Sequence, residues 1–297
     1  FEDMAATDKE FDKLILPPRP LRRIVKTWKP SDANWFLDFP TSAKKVSWFI
    51  EQTNGINADG VIALNPQVIA RILAVTGPIE MPEYKKVLDE NNFWEEMQIA
   101  TREDYSKNQP KQFLQNFTIR FLDKVRSLPP DQISRLLDTL RISFREKDIQ
   151  VYLEEAGVEV LVLANGWGGK VFDEPQLDFL SIGNTNIGGE KSDYFVRQKI
   201  SLQTEVQADG EIINELAVTR IHDGRNAKYS WWRAKNYDYL RIYVARGSQF
   251  ISASGGDTEP KLKNIDSGNY IVDPDIGYLV GDKMIPLDAA KTVEVFE

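Results

Sequence analysis

The 297-residue chain has no cysteine, one histidine and fewer basic than acidic residues. Without cysteine, it cannot form disulfide bonds, thiolate metal sites or a cysteine nucleophile. Its only histidine, His222, would have to serve a Ser-His-Asp triad or a histidine zinc site alone, which disfavours classical hydrolase chemistry. The formal net charge of -8 opposes contacts with phosphate backbones. We therefore expect no nucleic-acid partner.

Long apolar runs are also missing. No window approaches the 18 consecutive apolar residues that are typical of a transmembrane helix. The chain begins at Phe1 without an initiator methionine, and a strand pattern continues almost to its last residue. We therefore expect a piece that is truncated at its N terminus and incomplete at its C terminus. Its length and its 42% hydrophobic content suit two globular domains.

Residues 1–190 alternate helical and strand patterns, which predicts an α/β domain. A short helix is predicted from Pro20 through Trp28, and Thr41 or Ser42 is predicted to cap the next helix. The apolar run Val61–Leu64 indicates a strand covered on both faces. Further helices are predicted at 66–76, 89–102, 110–126 and 131–145, with a strand at 149–153 and a short helix at 155–164.

Residues 191–297 predict an all-β domain that resembles a sandwich. Apolar and polar side chains alternate from Tyr194 to Gln207 and again from Ile212 to Ile221, with Asp209-Gly210 as the hairpin turn. Other strands of this domain are predicted at 237–244, 270–272, 278–280 and 292–295, and a strand at 178–182 belongs to the preceding domain.

The loop from Asp32 to Pro40 contains the strongest candidates for chemistry. Two carboxylates on one loop, Asp32 and Asp38, could hold Mg²⁺ while substrate phosphates complete its coordination, so both are candidate catalytic residues and metal ligands. In the alternative interpretation, Asp32, Asn34 and Ser42 cap and brace a loop whose aromatic residues lie in the core.

Three arginines and one amide are candidate substrate-binding residues. Arg19, Arg22 and Arg23 could donate paired hydrogen bonds to a pyrophosphate, and Asn34 lies in the candidate loop. The alternative for the arginines is a solvated basic turn of helix.

Aromatic residues cluster late in the chain. Trp231 and Trp232 could stack on sugar rings, together with the nearby Tyr229, Arg233, Tyr237 and Tyr239. In the alternative interpretation they fill the core of a β-sandwich or its rim.

Several segments share the pattern of one known family: Asp32-Ala-Asn-Trp35, Asp38-Phe-Pro40, Ser42-Ala43, Ala58-Asp-Gly-Val-Ile-Ala-Leu-Asn-Pro66, Thr76-Gly-Pro-Ile79, Asn184, Gly189-Glu-Lys-Ser-Asp193, Tyr239-Leu-Arg-Ile-Tyr-Val244 and Gly247-Ser248. Together they resemble the domain of unknown function 4012 family. The resemblance implies a bacterial envelope protein that is held by an N-terminal transmembrane anchor absent from this chain. Its bulk would then lie on the extracellular side of the membrane or at the cell surface.

That family is distantly similar to the LytR-CpsA-Psr ligases, which transfer glycopolymers from a polyprenyl-pyrophosphate carrier to the cell wall. This similarity implies a three-layer domain, with a mixed sheet between helices, and a site in which Arg, Asp and a divalent metal neutralise pyrophosphate. Ser31 stands where an Arg is expected before Asp32. We therefore rank binding of a cell-wall glycopolymer or lipid-linked precursor, or a purely structural role, above the alternative of a Mg²⁺-dependent glycopolymer phosphotransferase.

Overall fold

The computed structural model describes residues 4–106, 111–171, 178–255, 262–265, 268, 270–273, 278–280, 283–285 and 291–296. In these residues the chain is mixed α/β, with eight α-helices and small antiparallel sheets. The helices are α1 (Met4–Glu10), α2 (Phe39–Asn54), α3 (Pro66–Thr76), α4 (Phe93–Ser106), α5 (Gln112–Arg126), α6 (Pro130–Arg145), α7 (Ala156–Ala164) and α8 (Ser230–Arg233). The strands are β1 (Gly60–Leu64), β2 (Ile79–Met81), β3 (Lys86–Leu88), β4 (Ile149–Leu153), β5 (Leu180–Asn186), β6 (Val196–Val206), β7 (Ile212–His222), β8 (Asp238–Val244), β9 (Tyr278–Val280), β10 (Lys283–Ile285) and β11 (Lys291–Phe296).

The chain divides into two compact units. The first unit comprises Phe1–Lys13 and Lys29–Phe172, and the second comprises Leu14–Trp28 and Asp173–Glu297. None of the helices in the described ranges has the length and apolar character needed to cross a membrane.

The main core of the first unit lies between helices α3 to α6 and the hairpin β2–β3. Phe113, Phe117 and Phe121 recur every four residues along α5, so all three rings lie on one face of the helix and are buried. They pack with Leu73 of α3 and with residues of β2, β3 and α4. The predicted helices of this region are confirmed within a few residues at their ends.

Strand β1 differs from its prediction, because only one of its faces is covered. It pairs antiparallel with β4, and Val61 and Ala63 pack against Phe39 of α2. The alternate side chains Ile62 and Leu64 are 64% and 55% exposed. The prediction of a strand buried on both faces is therefore wrong: the strand is present, but on its other face the main core covers Ile149 and Val151 of β4 and leaves Ile62 and Leu64 of β1 exposed.

The helix termini follow local signals. Asn65 accepts a hydrogen bond from Gln67 N (3.1 Å) and caps α3 as predicted, and Gly77 ends that helix with a φ of 79°. Gly55, with a φ of 72°, ends α2 in the left-handed conformation that glycine adopts at little cost. For the start of α2 the prediction is wrong: Asp38, and not Thr41 or Ser42, is the capping residue.

The second unit contains a three-stranded antiparallel sheet with the order β11-β8-β5, and two separate hairpins, β6–β7 and β9–β10. The predicted hairpin is confirmed as β6–β7, and Gly210 of its turn has a φ of 89°. The helix predicted from Pro20 to Trp28 is shorter than expected. It is a 3-10 turn over Arg19–Arg23, after which Trp28 N donates to Ile15 O and the chain leaves the helical path.

The strands in the described ranges pair only antiparallel, in sheets of two or three. The coarse mixed α/β class is therefore observed, whereas the predicted three-layer sheet and the β-sandwich are not confirmed. The strand predicted at 270–272 is reduced to an isolated bridge between Ile271 and Ile15.

Candidate functional site

Asp38 binds backbone and side-chain donors through both of its carboxylate oxygens. Oδ2 accepts from Thr41 N (3.1 Å) and Thr41 Oγ1 (2.7 Å), which caps the N terminus of α2. Oδ1 accepts from Val171 N at 2.9 Å, and Phe39 N donates to Gly169 O at 3.2 Å. The carboxylate therefore joins the start of α2 to a segment more than 130 residues later in the chain.

The loop before α2 is braced from its own side as well. Ser42 Oγ accepts from Phe36 N (2.9 Å) and donates to Phe36 O (3.1 Å), and the Ser42 side chain is buried. Phe39 lies in the small core with Ala43 and Tyr152, whereas Trp35 and Phe36 are only half-buried. For Ser42 and Phe39, these contacts match the alternative in which the loop is braced and packed, and Asp38 adds a cap that this alternative did not include.

Asp32 ends a 3-10 turn, Pro30–Asp32, and lies in the field of a carboxylate that the sequence analysis missed. Burial raises the pKa of Asp32, and the negative charge of Asp8 raises it further. Asp8 itself accepts from Ser31 N (3.0 Å) and Ser31 Oγ (2.7 Å), which ties α1 to this turn. The sequence contains no signal that Asp8 lies close to the Pro30–Asp32 turn, because Asp8 is remote in sequence and belongs to a short helix without a recognisable motif.

Within the described ranges, no three His, Asp or Glu side chains converge in a way that could hold a metal ion. Both carboxylate oxygens of Asp38 accept hydrogen bonds that stabilise the fold, and Asp32 lies near the carboxylate of Asp8. The catalytic and metal-binding roles of Asp32 and Asp38 stay predictions.

The three candidate arginines lie together on the 3-10 turn Arg19–Arg23 of the second unit. Arg22 Nε donates to Pro17 O at 3.2 Å, and the pKa of Arg22 is lowered by burial and by the charge of Arg19. The guanidinium carbon of Arg23 is 3.8 Å from the centroid of the Tyr237 ring, in cation–π geometry. Asn34 is exposed and belongs to the first unit. A substrate-binding role for these four residues stays a prediction.

The second unit carries a compact group of aromatic rings, which we call the aromatic surface: Tyr194, Tyr229 and Trp231 around the buried Trp232. Tyr229 and Trp231 stack with centroids 4.3 Å apart and planes inclined by 16°. Tyr194 stacks on Trp232 at 5.3 Å and is 39% exposed. Tyr229 and Trp231 are half-buried, so parts of three rings reach solvent from a rigid, packed base.

A polar network fixes the turn that carries Tyr194. Asn186 and Asn236 donate to opposite oxygens of Asp193, at 2.5 and 2.9 Å, and Gly189 N donates to Asn186 Oδ1 at 2.8 Å. The buried Ser192 hydroxyl donates to Gly189 O at 2.6 Å. The 3-10 turn Ser192–Phe195 is thereby held in place and presents Tyr194 next to Trp232.

A buried ion pair also stabilises the second unit next to this polar network. Arg220 Nη1 lies 2.5 Å from Asp238 Oδ2, and both side chains are almost completely buried. Asp238 Oδ1 also accepts from Thr185 N at 3.0 Å, and Arg220 Nη1 donates to Asn236 Oδ1 at 3.3 Å. The pair therefore links β7, β8 and β5.

A family model described as "Protein of unknown function (DUF4012)" matches residues 7–101. The match supports the resemblance to that family over this segment, which includes Asp8, Asp32 and Asp38 and excludes the aromatic surface. The more distant similarity to LytR-CpsA-Psr ligases is not confirmed. No curated protein and no solved structure is detectably similar to the chain.

Proposed function

We propose that this chain is a binding protein of the bacterial cell envelope that recognises a cell-wall glycopolymer through the aromatic surface. The observation that carries the proposal is the stacked pair Tyr229 and Trp231, partly exposed beside the buried Trp232. A sugar ring presents a face of C–H groups that packs on an aromatic face. Rigid Tyr and Trp rings provide such contact area at a low cost in conformational entropy.

The charges around these rings favour an anionic glycan. The Lys228 ammonium lies 5.0 Å from the Tyr229 centroid, and the exposed Arg233 is the last residue of α8, directly after Trp232. This local positive charge contrasts with the net charge of -8 of the chain. It would attract phosphate or carboxylate groups of a wall polymer and would leave the rest of the molecule repelled by them.

The location of the protein in the cell envelope is part of the same proposal. The envelope location rests on the resemblance to the family of unknown function, which implies the extracellular side of the membrane or the cell surface. A lipid-linked precursor of the polymer carries the same sugars and would be a second source of the same ligand chemistry. A purely structural module would bind neither.

The catalytic alternative has no observation in its favour. In a magnesium-dependent phosphotransferase, Asp38 would have to bind the metal in addition to its hydrogen bonds from Thr41 to Oδ2 and from Val171 to Oδ1. Magnesium is an expected cofactor only in this alternative.

Glycan binding is tested by isothermal titration with soluble fragments of anionic wall polymer and of peptidoglycan. The comparison uses wild type, Trp231→Ala and the control Trp94→Ala. Trp94 lies on α4 of the first unit and is 43% exposed, so its loss removes a solvent-accessible indole outside the aromatic surface. We expect Trp231→Ala to weaken binding of the anionic polymer by about tenfold or more, as truncation of a central aromatic contact does.

Wild-type and Trp94→Ala proteins should bind equally well. A wild type that binds none of the fragments, or a Trp231→Ala protein that binds as tightly as wild type, would overturn the proposal. A parallel titration with polyprenyl phosphate, with and without Mg²⁺, addresses the alternative. Magnesium-dependent binding that disappears in Asp32→Asn would favour the phosphotransferase over the binding protein.

A further inference from the structure

Strand β6 is an edge strand that is exposed on both faces. Every residue from Arg197 to Val206 is exposed, and among the described residues β6 pairs with β7 alone. A two-stranded hairpin of this length is marginally stable by itself, and the open edge of a strand is a template for another strand. The hairpin therefore presents a long surface on which a further strand can pair.

The hydrogen-bond pattern shows which groups face that open edge. Gln207 N donates to Glu211 O at 2.8 Å across the end of the hairpin, and the next pair is Val206 with Ile212. Bonded and non-bonded pairs alternate in an antiparallel ladder. Odd-numbered residues of β6 therefore bond to β7, and even-numbered residues turn their N–H and C=O groups outward.

We propose that β6 pairs antiparallel with β6 of a second copy of this chain, about a twofold axis at Ser201. In this register Ile200 lies opposite Leu202 of the second copy, and Val196 lies opposite its Val206. Even-numbered residues then meet even-numbered residues, so the outward N–H and C=O groups of both strands satisfy each other. The two hairpins become one four-stranded sheet.

Charge complementarity favours this register. Arg197 comes opposite Glu205 of the second copy, and the twofold axis creates the pair twice. These odd positions are the non-hydrogen-bonded pairs of the new ladder, in which facing side chains are closest. Arg197 already contacts Asp223 Oδ2 in its own chain through Nε (2.5 Å), and the remaining guanidinium donors can reach Glu205.

The apolar side chains of β6 match in the same register. Ile200, Leu202 and Val206 are 48%, 45% and 68% exposed and point to the face opposite Arg197. The pairing places each of them beside an apolar residue of the second copy. A slip by one residue would turn this apolar face to the other side. A slip by two residues would place Lys199 instead of Arg197 opposite Glu205, but it would bring Val206 opposite Gln198 and Ile200 opposite Thr204, so the apolar match would be lost.

The other edge of the hairpin lacks this self-complementarity. The charged residues of β7 are Glu215 and Arg220, one at an odd and one at an even position, so they lie on opposite faces. Antiparallel pairing of β7 with itself cannot place them opposite each other. The second copy is therefore expected on β6.

Reversal of single charges tests the register. Glu205→Arg and Arg197→Glu each convert both symmetric ion pairs into like-charge pairs, and each should weaken dimerisation by about tenfold or more. An equimolar mixture of the two variants should form a heterodimer, because both pairs are then again opposite in charge. The control Glu215→Arg changes the same charge on β7, at a position that faces Gln203 within the hairpin.

The readout is sedimentation velocity over a range of protein concentrations, with the full chain. We expect wild type and Glu215→Arg to dimerise with similar affinity, each single reversal to remain monomeric at concentrations where wild type dimerises, and the mixture to recover dimers. A wild type that stays monomeric at the highest concentration would overturn the proposal. Dimers of Glu205→Arg as stable as those of wild type, or a mixture that fails to recover dimers, would overturn it as well. The aromatic surface takes no part in this pairing, so glycan titrations are independent of its result.

Discussion

Replacement of Asp38 by alanine tests whether this carboxylate is a structural tie. The substitution removes the acceptors of Thr41 N, Thr41 Oγ1 and Val171 N, at 3.1, 2.7 and 2.9 Å. Loss of an N-cap costs about 1 kcal/mol of the free energy of unfolding. Loss of a hydrogen bond to a charged group costs about 1.5–3 kcal/mol. We therefore expect Asp38→Ala to destabilise the first unit by about 2.5–4 kcal/mol.

The matched control is Asn65→Ala at the start of α3. The Asn65 side chain accepts one capping hydrogen bond, from Gln67 N, and bonds no distant segment, so its loss should cost only about 1 kcal/mol. Native-state hydrogen exchange measures the free energy of opening for the amides of α2 and α3 within the first unit. In Asp38→Ala the amide of Val171 should also lose its protection.

Equal costs for the two substitutions, or an unchanged exchange rate at Val171, would refute this account of Asp38. The carboxylate would then be available for other roles, including the metal site predicted from the sequence.

Three further predictions concern charge and packing. The pKa of Asp32 is raised in the folded state, so the free energy of unfolding should fall as the pH rises above the usual pKa of 3.8. The substitution Asp32→Asn should therefore increase the free energy of unfolding at pH 7. Urea titrations should show that this increase vanishes as the pH is lowered towards 3.8. Leu73→Ala should cost about 2–5 kcal/mol because the side chain is completely buried, whereas Ile62→Ala on the open face of β1 should cost about 0.5 kcal/mol; similar costs in urea titrations would contradict the described core. Asp238→Ala should cost about 3–5 kcal/mol because it leaves the buried Arg220 with only the more distant Asp193 carboxylate, 3.8 Å from Nη2. A loss below about 1 kcal/mol in the same assay would contradict the buried pair.

Elements with local signals could be predicted from the sequence. The capping side chain Asn65 and the final Gly77 both lie next to α3, and three phenylalanines at helical spacing mark the buried face of α5. The hairpin β6–β7 follows from alternation and from Asp209-Gly210. Each of these features depends on residues within a few positions of one another.

Features that depend on distant partners could not be predicted. The apolar run of β1 indicated a strand. Whether both faces of that strand are buried depends on the elements that pack on it, and no local sequence pattern encodes them. Asp38 was recognised as important, but its bond to Val171 joins segments that only folding brings together. The influence of Asp8 on Asp32 arises in the same way. The candidate site was therefore located in the sequence without the contacts that give its carboxylates their environment.

The central claim is that the aromatic surface contacts a cell-wall glycan. The most direct measurement is the ¹⁹F NMR spectrum of protein labelled with fluorotryptophan, in which the signals of Trp231 and Trp94 are assigned from the alanine variants among the seven tryptophans. On addition of soluble anionic wall polymer, the account predicts that the Trp231 signal shifts in a saturable manner while the Trp94 signal stays in place. A Trp231 signal that does not move at any polymer concentration, or equal shifts of both signals, would contradict it.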